Sequence, residues 1–246
     1  MTFDAKETEA LKQGDYKATG TVLKRKEGVK SSQSLLLFLK GFGLVWVTAP
    51  SATSKNRFGG STEPMIWASF ELYKSPSRFY IKSAEIKEDF LAVRSNPKSL
   101  MAAAKFYKLL PSVLYGEHEN DKILTLLYSC MLLLEAACAQ EVVEFRFVWR
   151  LLKYLGLAPS LTNCVSCNAK LEAADFCPDG FLCEGCLKGA PKIAKTELLQ
   201  LQAAALLPQE TFKSWLKAQN IEKNTKNIEF FDKSCKYLLS FFENIS

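Results

Sequence analysis

The chain has 246 residues and a formal net charge of +6, with 48% hydrophobic and 24% charged residues. This length has room for one large domain or two small ones, and the composition excludes fibrous and largely disordered classes. The first eleven residues lack the apolar core of a signal peptide, and the most apolar stretch, residues 123–134, is too short to cross a bilayer. We therefore expect a soluble, cytoplasmic protein with no membrane partner.

Positive charge is concentrated in the first quarter of the chain. Between residues 16 and 62, eight basic residues stand against one acidic residue, Glu27, which gives a local charge of +7. The rest of the chain is nearly neutral. This asymmetry indicates that the N-terminal part of the protein binds a polyanion, whereas the remainder mostly forms a packed core. The candidate DNA-binding residues are Lys24, Arg25, Lys26, Lys30, Lys40, Lys55 and Arg57.

Five short runs rich in β-branched and aromatic residues precede residue 85 and are separated by turn residues. Gly41-Phe42-Gly43 predicts a tight turn between the second run and the third, and Ser75-Pro76-Ser77 joins the fourth to the fifth. Five short antiparallel strands favour a small closed barrel, most commonly an OB-fold; an SH3-like barrel would give much the same pattern. The predicted strands are 18–26, 34–40, 44–49, 65–74 and 78–83.

Aromatic residues are interleaved with the cations of this predicted barrel, namely Phe42, Trp46, Phe58 and Trp67. Barrels that bind single strands combine a cationic groove for the backbone with aromatic faces for base stacking. Most of these rings are needed to fill the interior of the barrel. The cations are also consistent with ordinary solvent-exposed charges at strand ends. Charge placement and predicted fold together favour nucleic-acid binding.

After residue 85 the apolar residues recur with a helical period. Asn96 and Pro97 suit the N-cap and first turn of one helix. The sequence therefore predicts an α+β fold: an N-terminal five-stranded OB-fold barrel (1–85), then an all-helical domain (86–246) with an inserted four-cysteine zinc segment (160–190). The predicted helices are 97–110, 121–139, 142–155, 196–207, 209–218 and 227–244.

Two Cys-x-x-Cys pairs separated by fifteen residues are the strongest chemical signal. This spacing is typical of a zinc site in which two tight turns complete a tetrahedron of thiolates. Four sulfurs leave no open position, so we expect one structural Zn²⁺ per chain; redox pairs or unliganded thiols are the alternative. Asn168 and Gly185 stand where such turns often need a positive φ. The predicted ligands are Cys164, Cys167, Cys183 and Cys186.

The remaining cysteines and the single histidine offer little further chemistry. Cys177 lies between the two pairs without a second cysteine at the same spacing, so it is a poor candidate ligand. Cys130, Cys138 and Cys235 lie on apolar helical faces and are predicted to be core residues. His118 stands in a polar loop, and the sequence has no nucleotide-binding glycine motif or cluster of carboxylates. We predict that the protein is not an enzyme and has no catalytic residue.

Two segments of the sequence resemble bacterial RecO proteins. Residues 21–39, followed by 41–49, resemble the opening barrel of that family, and 145–159, followed by Cys164-Val165-Ser166-Cys167, is similar to its most recognisable segment. Two departures are visible: residues 49–58 carry only Lys55 and Arg57 where relatives are often more basic, and Asn168 stands where they usually have glycine. The resemblance covers most of the chain from about residue 16.

The resemblance implies a recombination mediator in DNA repair, associated with the nucleoid. Such proteins bind single-stranded DNA, anneal complementary strands and help to load the recombinase onto strands coated by single-strand-binding protein. Their partners are RecR, RecF in some settings, and the C-terminal tail of single-strand-binding protein.

The helix predicted at 142–155 is the candidate receptor for that acidic tail. Three cations of this helix recur at spacings of four and three residues, which places them on one face of the helix. An apolar stripe of Phe147, Leu151 and Tyr154 lies beside them, and this stripe is equally consistent with a face that packs in the core. By resemblance, an arginine near the start of this helix contacts the tail, and Arg146 matches it. The predicted partner-binding residues are Arg146, Arg150 and Lys153. Two other functions stay open: a zinc-ribbon subunit of a nucleic-acid-processing enzyme, and a protein-docking scaffold.

Overall fold

A computed structural model describes residues 11–28, 31–52, 57–114, 120–219 and 224–243. The chain divides into two compact units, Met1–Tyr128 and Ser129–Ser246. Strands give way to helices between Glu88 and Leu91, inside the first unit. The division into separately folding domains at residue 85 stays a prediction. None of the helices in the described ranges is long and apolar enough to cross a membrane.

The first unit contains a closed barrel of five strands in the order β1-β2-β3-β5-β4. Neighbouring strands are antiparallel except β3 and β5, which pair in parallel at Val47–Phe79 and Thr48–Tyr80. This is the five-stranded Greek-key barrel of the OB type, so the predicted fold class is confirmed. The strands are β1 (Gly14–Glu27), β2 (Gln33–Leu39), β3 (Gly43–Ala49), β4 (Trp67–Lys74) and β5 (Phe79–Glu88).

Strand β1 is longer than the sequence predicts because it serves two neighbours. Its first half pairs with β4 from Gly14 to Thr21, and its second half pairs with β2 from Gly20 to Glu27. A bulge near Val22 separates these halves and bends the strand around the barrel. Gly20 is required at the crossover, since a Cβ there would lie 1.9 Å from the Phe38 carbonyl oxygen.

Alternate residues of the strands fill the barrel with aliphatic and phenylalanine side chains. The tight turn that the sequence predicts between β2 and β3 has positive φ angles at Gly41 (76°) and Gly43 (66°). Two helices follow in the same unit, α1 (Leu91–Ser95) and α2 (Pro97–Val113). The Asn96 side chain caps α2 by accepting from the amides of Lys98 and Ser99 at 3.0 and 3.2 Å.

The second unit is helical apart from a small hairpin in the cysteine-rich segment. Helix α3 (Asn120–Glu135) contributes to both units and ends four residues before the predicted position, because Ala137 adopts a φ of 55°. The Phe145 and Phe231 rings pack edge to face at 5.5 Å between α4 and α7. The other elements are α4 (Gln140–Tyr154), β6 (Ala174–Cys177), β7 (Gly180–Cys183), α5 (Lys195–Leu206), α6 (Gln209–Gln219) and α7 (Thr225–Glu243).

Candidate metal centre and nucleic-acid interface

The four cysteines of the two Cys-x-x-Cys pairs converge on one point. Their sulfurs all lie within 4.8 Å of one another, and those of Cys167 and Cys183 are 3.6 Å apart. Cys164 is buried and Cys167 is exposed, so the cluster lies at the surface with one side protected. Such a group can hold a metal ion.

Local backbone geometry aims these sulfurs at the common point. In the first turn the Asn168 amide donates to the Cys164 carbonyl at 2.9 Å, and Asn168 adopts the left-handed conformation (φ 59°) that the sequence predicts. Gly185 does not adopt a positive φ, because a single 3-10 turn, Glu184–Cys186, carries the second pair. The β6–β7 hairpin between the pairs places Cys183 beside the first turn, where its amide donates to the Cys164 sulfur at 3.4 Å.

The acidities of the thiols reflect this arrangement. Backbone amides of Cys167 and Cys183 donate to the Cys164 sulfur and lower the pKa of its thiol to about 6. The sulfurs of Cys167 and Cys183 lie beside Cys186 and raise the pKa of that thiol to about 12. One sulfur is therefore readily ionised at neutral pH, while another keeps its proton unless a positive charge enters the group.

Tyr237 anchors the hairpin to the C-terminal helix. Its hydroxyl shares its one hydrogen between the carbonyl oxygens of Cys177 and Gly180, which lie at 2.8 and 2.6 Å, at the hairpin turn. Its ring packs on Phe176 and Phe181 with centroid distances of 4.4 and 5.7 Å. Helix α7 thus has a defined role, which the sequence does not reveal because the contact joins segments about 60 residues apart.

The remaining cysteines lie outside the cluster. Cys177 is at the turn end of the hairpin, whereas the ligand candidate Cys183 is at its open end. Cys130 and Cys235 are buried, as predicted, and Cys138 is half-buried just after α3. Burial raises the pKa of Cys130 to about 12, so this thiol is unreactive at neutral pH.

The structure brings some of the predicted DNA-binding residues together at one end of the barrel. Lys24, Arg25 and Lys26 are exposed on the last part of β1, and Lys26 places its ammonium 5.0 Å from the centre of the Trp46 ring. Arg25 forms an ion pair with Glu63. Arg57 donates to the Pro50 carbonyl and lies over the Phe58 ring at 5.2 Å.

Lys40 is separate from this group. Its amide bonds to Thr19, seven residues before Lys26 on β1, which corresponds to roughly 23 Å along the strand. Lys30 and Lys55 lie outside the described residues, as does His118. Among the described residues, Lys40 therefore lies at the opposite end of the β1–β2 hairpin from Lys24, Arg25 and Lys26.

Two of the three predicted partner-binding residues hold the end of helix α5. Arg146 is 1% exposed and donates to the carbonyls of Ala204 and Leu207 at 2.7 and 2.8 Å. Arg150 is half-buried and donates to Ala205 and Leu207, both at 2.8 Å. The last carbonyls of a helix lack partners within it, so these guanidinium groups satisfy them.

The other predicted residues of helix α4 lie partly at the surface and partly in the core. Lys153 is exposed, with its ammonium 5.5 Å from the centre of the Trp149 ring. Phe147 and Leu151 of the apolar stripe are fully buried, and Tyr154 is half-buried. Among the predicted partner-binding residues, Lys153 is therefore the most accessible.

Comparison with known proteins identifies the family. A sequence model of the family described as "Recombination protein O C terminal" matches residues 94–238, more than half of the chain. The chain belongs to the RecO family of DNA repair proteins. The predicted family is thus confirmed, and the matched range includes the cysteine-rich segment.

Whole-chain relatives support the same assignment. A DNA repair protein RecO from Desulforamulus reducens is 29% identical over 94% of this chain and 99% of its own length. The RecO protein of Alkaliphilus metalliredigens is 29% identical over 62% of this chain and 63% of its own. That of Acetivibrio thermocellus is 25% identical over 73% and 74%. The similarity to the first relative spans the barrel as well as the helical part.

Proposed function

We propose that this protein is a non-enzymatic recombination mediator. It binds single-stranded DNA, anneals complementary strands and helps to load a recombinase onto strands coated by single-strand-binding protein. One observation carries the proposal: an OB-type barrel, in a chain of the RecO family, presents exposed cations directly beside aromatic rings. Cations neutralise phosphates and rings stack with bases, which is how such barrels hold single strands without reading their sequence.

The DNA surface in this proposal is the end of the barrel that carries Lys24, Arg25, Lys26 and Arg57. Lys30 and Lys55, which lie outside the described residues, stay proposed DNA-binding residues. The contact between Lys26 and Trp46 supplies a phosphate-binding cation next to a stacking face. Lys24 is exposed and has no ion-pair partner among the described residues. Arg25 must leave Glu63, or share it, in order to bind a phosphate.

Neutralising this surface tests the proposal. Replacing Lys24, Arg25 and Lys26 together by glutamine should weaken binding of a short oligothymidylate and flatten the slope of log affinity against log salt by about 2, since each lost phosphate contact contributes about 0.7 on single strands. Fluorescence anisotropy across a salt series measures both quantities.

A control of equal charge uses Lys17, Lys82 and Lys87, each of which already pairs with a carboxylate on the barrel. Replacing these three by glutamine should leave the slope nearly unchanged. Equal changes in both triple variants would show a net-charge effect, and no change in the first would place the DNA elsewhere.

We further propose that the four-cysteine cluster binds one structural Zn²⁺. A tetrahedral site with Zn–S bonds of about 2.3 Å separates its sulfurs by about 3.8 Å. The sulfurs of Cys167 and Cys183, 3.6 Å apart, fit this spacing. A divalent cation would also replace the Cys186 proton, which hydrogen bonds to the sulfurs of Cys167 and Cys183 otherwise retain. Four thiolates would leave no position for a reacting water, so the ion would stabilise the fold rather than catalyse.

The proposed protein partners are RecR, RecF in some settings, and the acidic C-terminal tail of single-strand-binding protein. For the tail we propose the exposed end of α4, with Lys153 and the half-buried Arg150 near the peptide. Arg146 would act through the position of α5, because its own guanidinium group is enclosed.

A charge reversal at Lys153 tests this surface. Lys153→Glu should weaken binding of a fluorescent tail peptide at least several-fold, because the introduced carboxylate repels those of the peptide. Lys217→Glu, at an exposed position on α6, is the matched control and should bind as the unmodified protein does. Equal peptide affinities for the unmodified protein and both variants would show that the tail does not bind this helix.

The enzyme alternative needs a reactive group as well as a nucleic-acid surface. Within the described ranges, the four cysteines are the only group of three or more His, Cys, Asp or Glu residues arranged to hold a metal ion. A nuclease subunit should cleave DNA in the presence of divalent cations, whereas a mediator should anneal strands and leave them intact.

A further inference from the structure

A cavity of about 320 Å³ lies against the barrel within the first unit. Strands β1 and β4 form one side through Thr19 and Trp67, and the first turns of α3 form another through Thr125 and Tyr128. Lys40, in the β2–β3 turn, completes the rim. Lys40 and Thr125 are exposed, so the cavity opens to solvent.

One wall of the cavity is aromatic. The rings of Trp67 and Tyr128 pack together with a centroid distance of 4.7 Å and an angle of 42°. Leu124, which is 3% exposed, adds an apolar surface. Burial, together with the neighbouring Glu88, raises the pKa of Tyr128, so this wall is uncharged at neutral pH. A flat, uncharged ring system can pack against this aromatic wall.

The rim carries both a donor and an acceptor. The Lys40 ammonium has no carboxylate within ion-pair distance in the part of the chain that the structure describes. One Asp121 oxygen accepts the Gly41 amide at 2.7 Å, which fixes the carboxylate and leaves its second oxygen available. Next to an aromatic wall, a cationic donor and an anionic acceptor suit a planar ligand whose edge presents N–H groups and oxygen or nitrogen acceptors.

We infer that this cavity receives one unstacked nucleobase of a single DNA strand, an inference that rests on the proposed single-strand binding. The volume is at the lower limit for ligand sites and suits one base rather than a base pair. The pairing edge of each of the four bases contains at least one N–H donor and one acceptor, so Asp121 and Lys40 match all of them. In duplex DNA these edges are occupied and the bases are stacked. The cavity therefore selects single strands without reading their sequence.

The position of the cavity fits a strand that also contacts the cationic end of the barrel. Lys40 and Lys26 lie roughly 23 Å apart along β1. Single strands occupy about 4–16 nucleotides on an OB-fold, enough to engage both places.

Removal of one ring tests the inference on the full-length protein. Tyr128→Leu should bind oligothymidylate about tenfold more weakly, since stacking on one aromatic residue contributes on this order. Its affinity for an abasic strand of equal length should be unchanged, because that strand has the same phosphates and no bases. Tyr154→Leu replaces a half-buried tyrosine of α4 and should bind both strands normally.

A second variant guards against a folding defect at Tyr128. Thr125→Leu adds bulk at an exposed lining position and cannot offer a ring for stacking, so it should show the same selective loss. An equal loss of affinity for the oligothymidylate and the abasic strand, or no loss of affinity in either variant, would overturn the inference and leave the proposed function unaffected. An unmodified protein that binds neither strand would overturn the proposed function, and the inference with it.

Discussion

Replacing Cys164 by serine is expected to reduce the zinc content from about one ion per chain to near zero and to unfold the segment between residues 160 and 190. A serine hydroxyl is a poor zinc ligand, and structural zinc contributes about 10–16 kcal/mol of apparent binding free energy that is coupled to folding. Without the ion, the segment retains one hairpin of two four-residue strands, which is too small to be stable alone.

The loss should extend to the C-terminal helix, because Tyr237 joins α7 to the hairpin turn. Metal analysis and limited proteolysis measure the two effects. Cys177→Ser, in the same hairpin and outside the cluster, is the control and should retain the ion. A Cys164→Ser protein with normal zinc content and normal resistance to protease would contradict the proposed ligand set.

Replacing Arg146 by methionine is expected to lower the free energy of unfolding of the second unit by about 3–6 kcal/mol, since each of its two hydrogen bonds from a charged donor contributes about 1.5–3 kcal/mol. The Ala204 carbonyl would be left buried without this donor, and the contact with the Phe212 ring, 4.3 Å from the guanidinium carbon, would be lost. Burial lowers the pKa of Arg146 only to about 10, so the side chain is charged at neutral pH.

Urea unfolding compares this variant with Lys153→Met, an equivalent change on the exposed side of the same helix. Surface substitutions of this kind usually change stability by less than about 0.5 kcal/mol. Equal unfolding midpoints for the two variants would show that Arg146 does not hold α5. The same reasoning makes Lys153, rather than Arg146, the informative position for a charge reversal in peptide binding.

The sequence predicts those parts of the fold that depend on a few neighbouring residues. Turn glycines at 41 and 43, the Asn96 cap and the two Cys-x-x-Cys pairs act over a few residues, so their spacing is sufficient. The sequence predicts a shorter β1 than the structure has, because the first residues of this strand are ordered by pairing with β4, more than 50 residues later. Its polar first residues carry no local signal of that partner.

The candidate sites were predictable to different degrees for the same reason. The helical period places Arg146, Arg150 and Lys153 on one face, and solvent is the usual environment for such charges. Arg146 is instead buried, because carbonyls 58 and 61 residues away at the end of α5 accept its hydrogen bonds. The sequence does not predict the cavity beside Trp67 and Tyr128, since only the packing of α3 against the barrel creates it.

A strand-annealing assay is the most direct test of the proposed mediator function. Complementary oligonucleotides coated with single-strand-binding protein are mixed with the full-length protein in the presence of Mg²⁺, and the products are separated by size. We expect duplex to form faster than in the protein-free control, with both strands at their original length. No acceleration of annealing, or the appearance of shortened strands, would contradict the account.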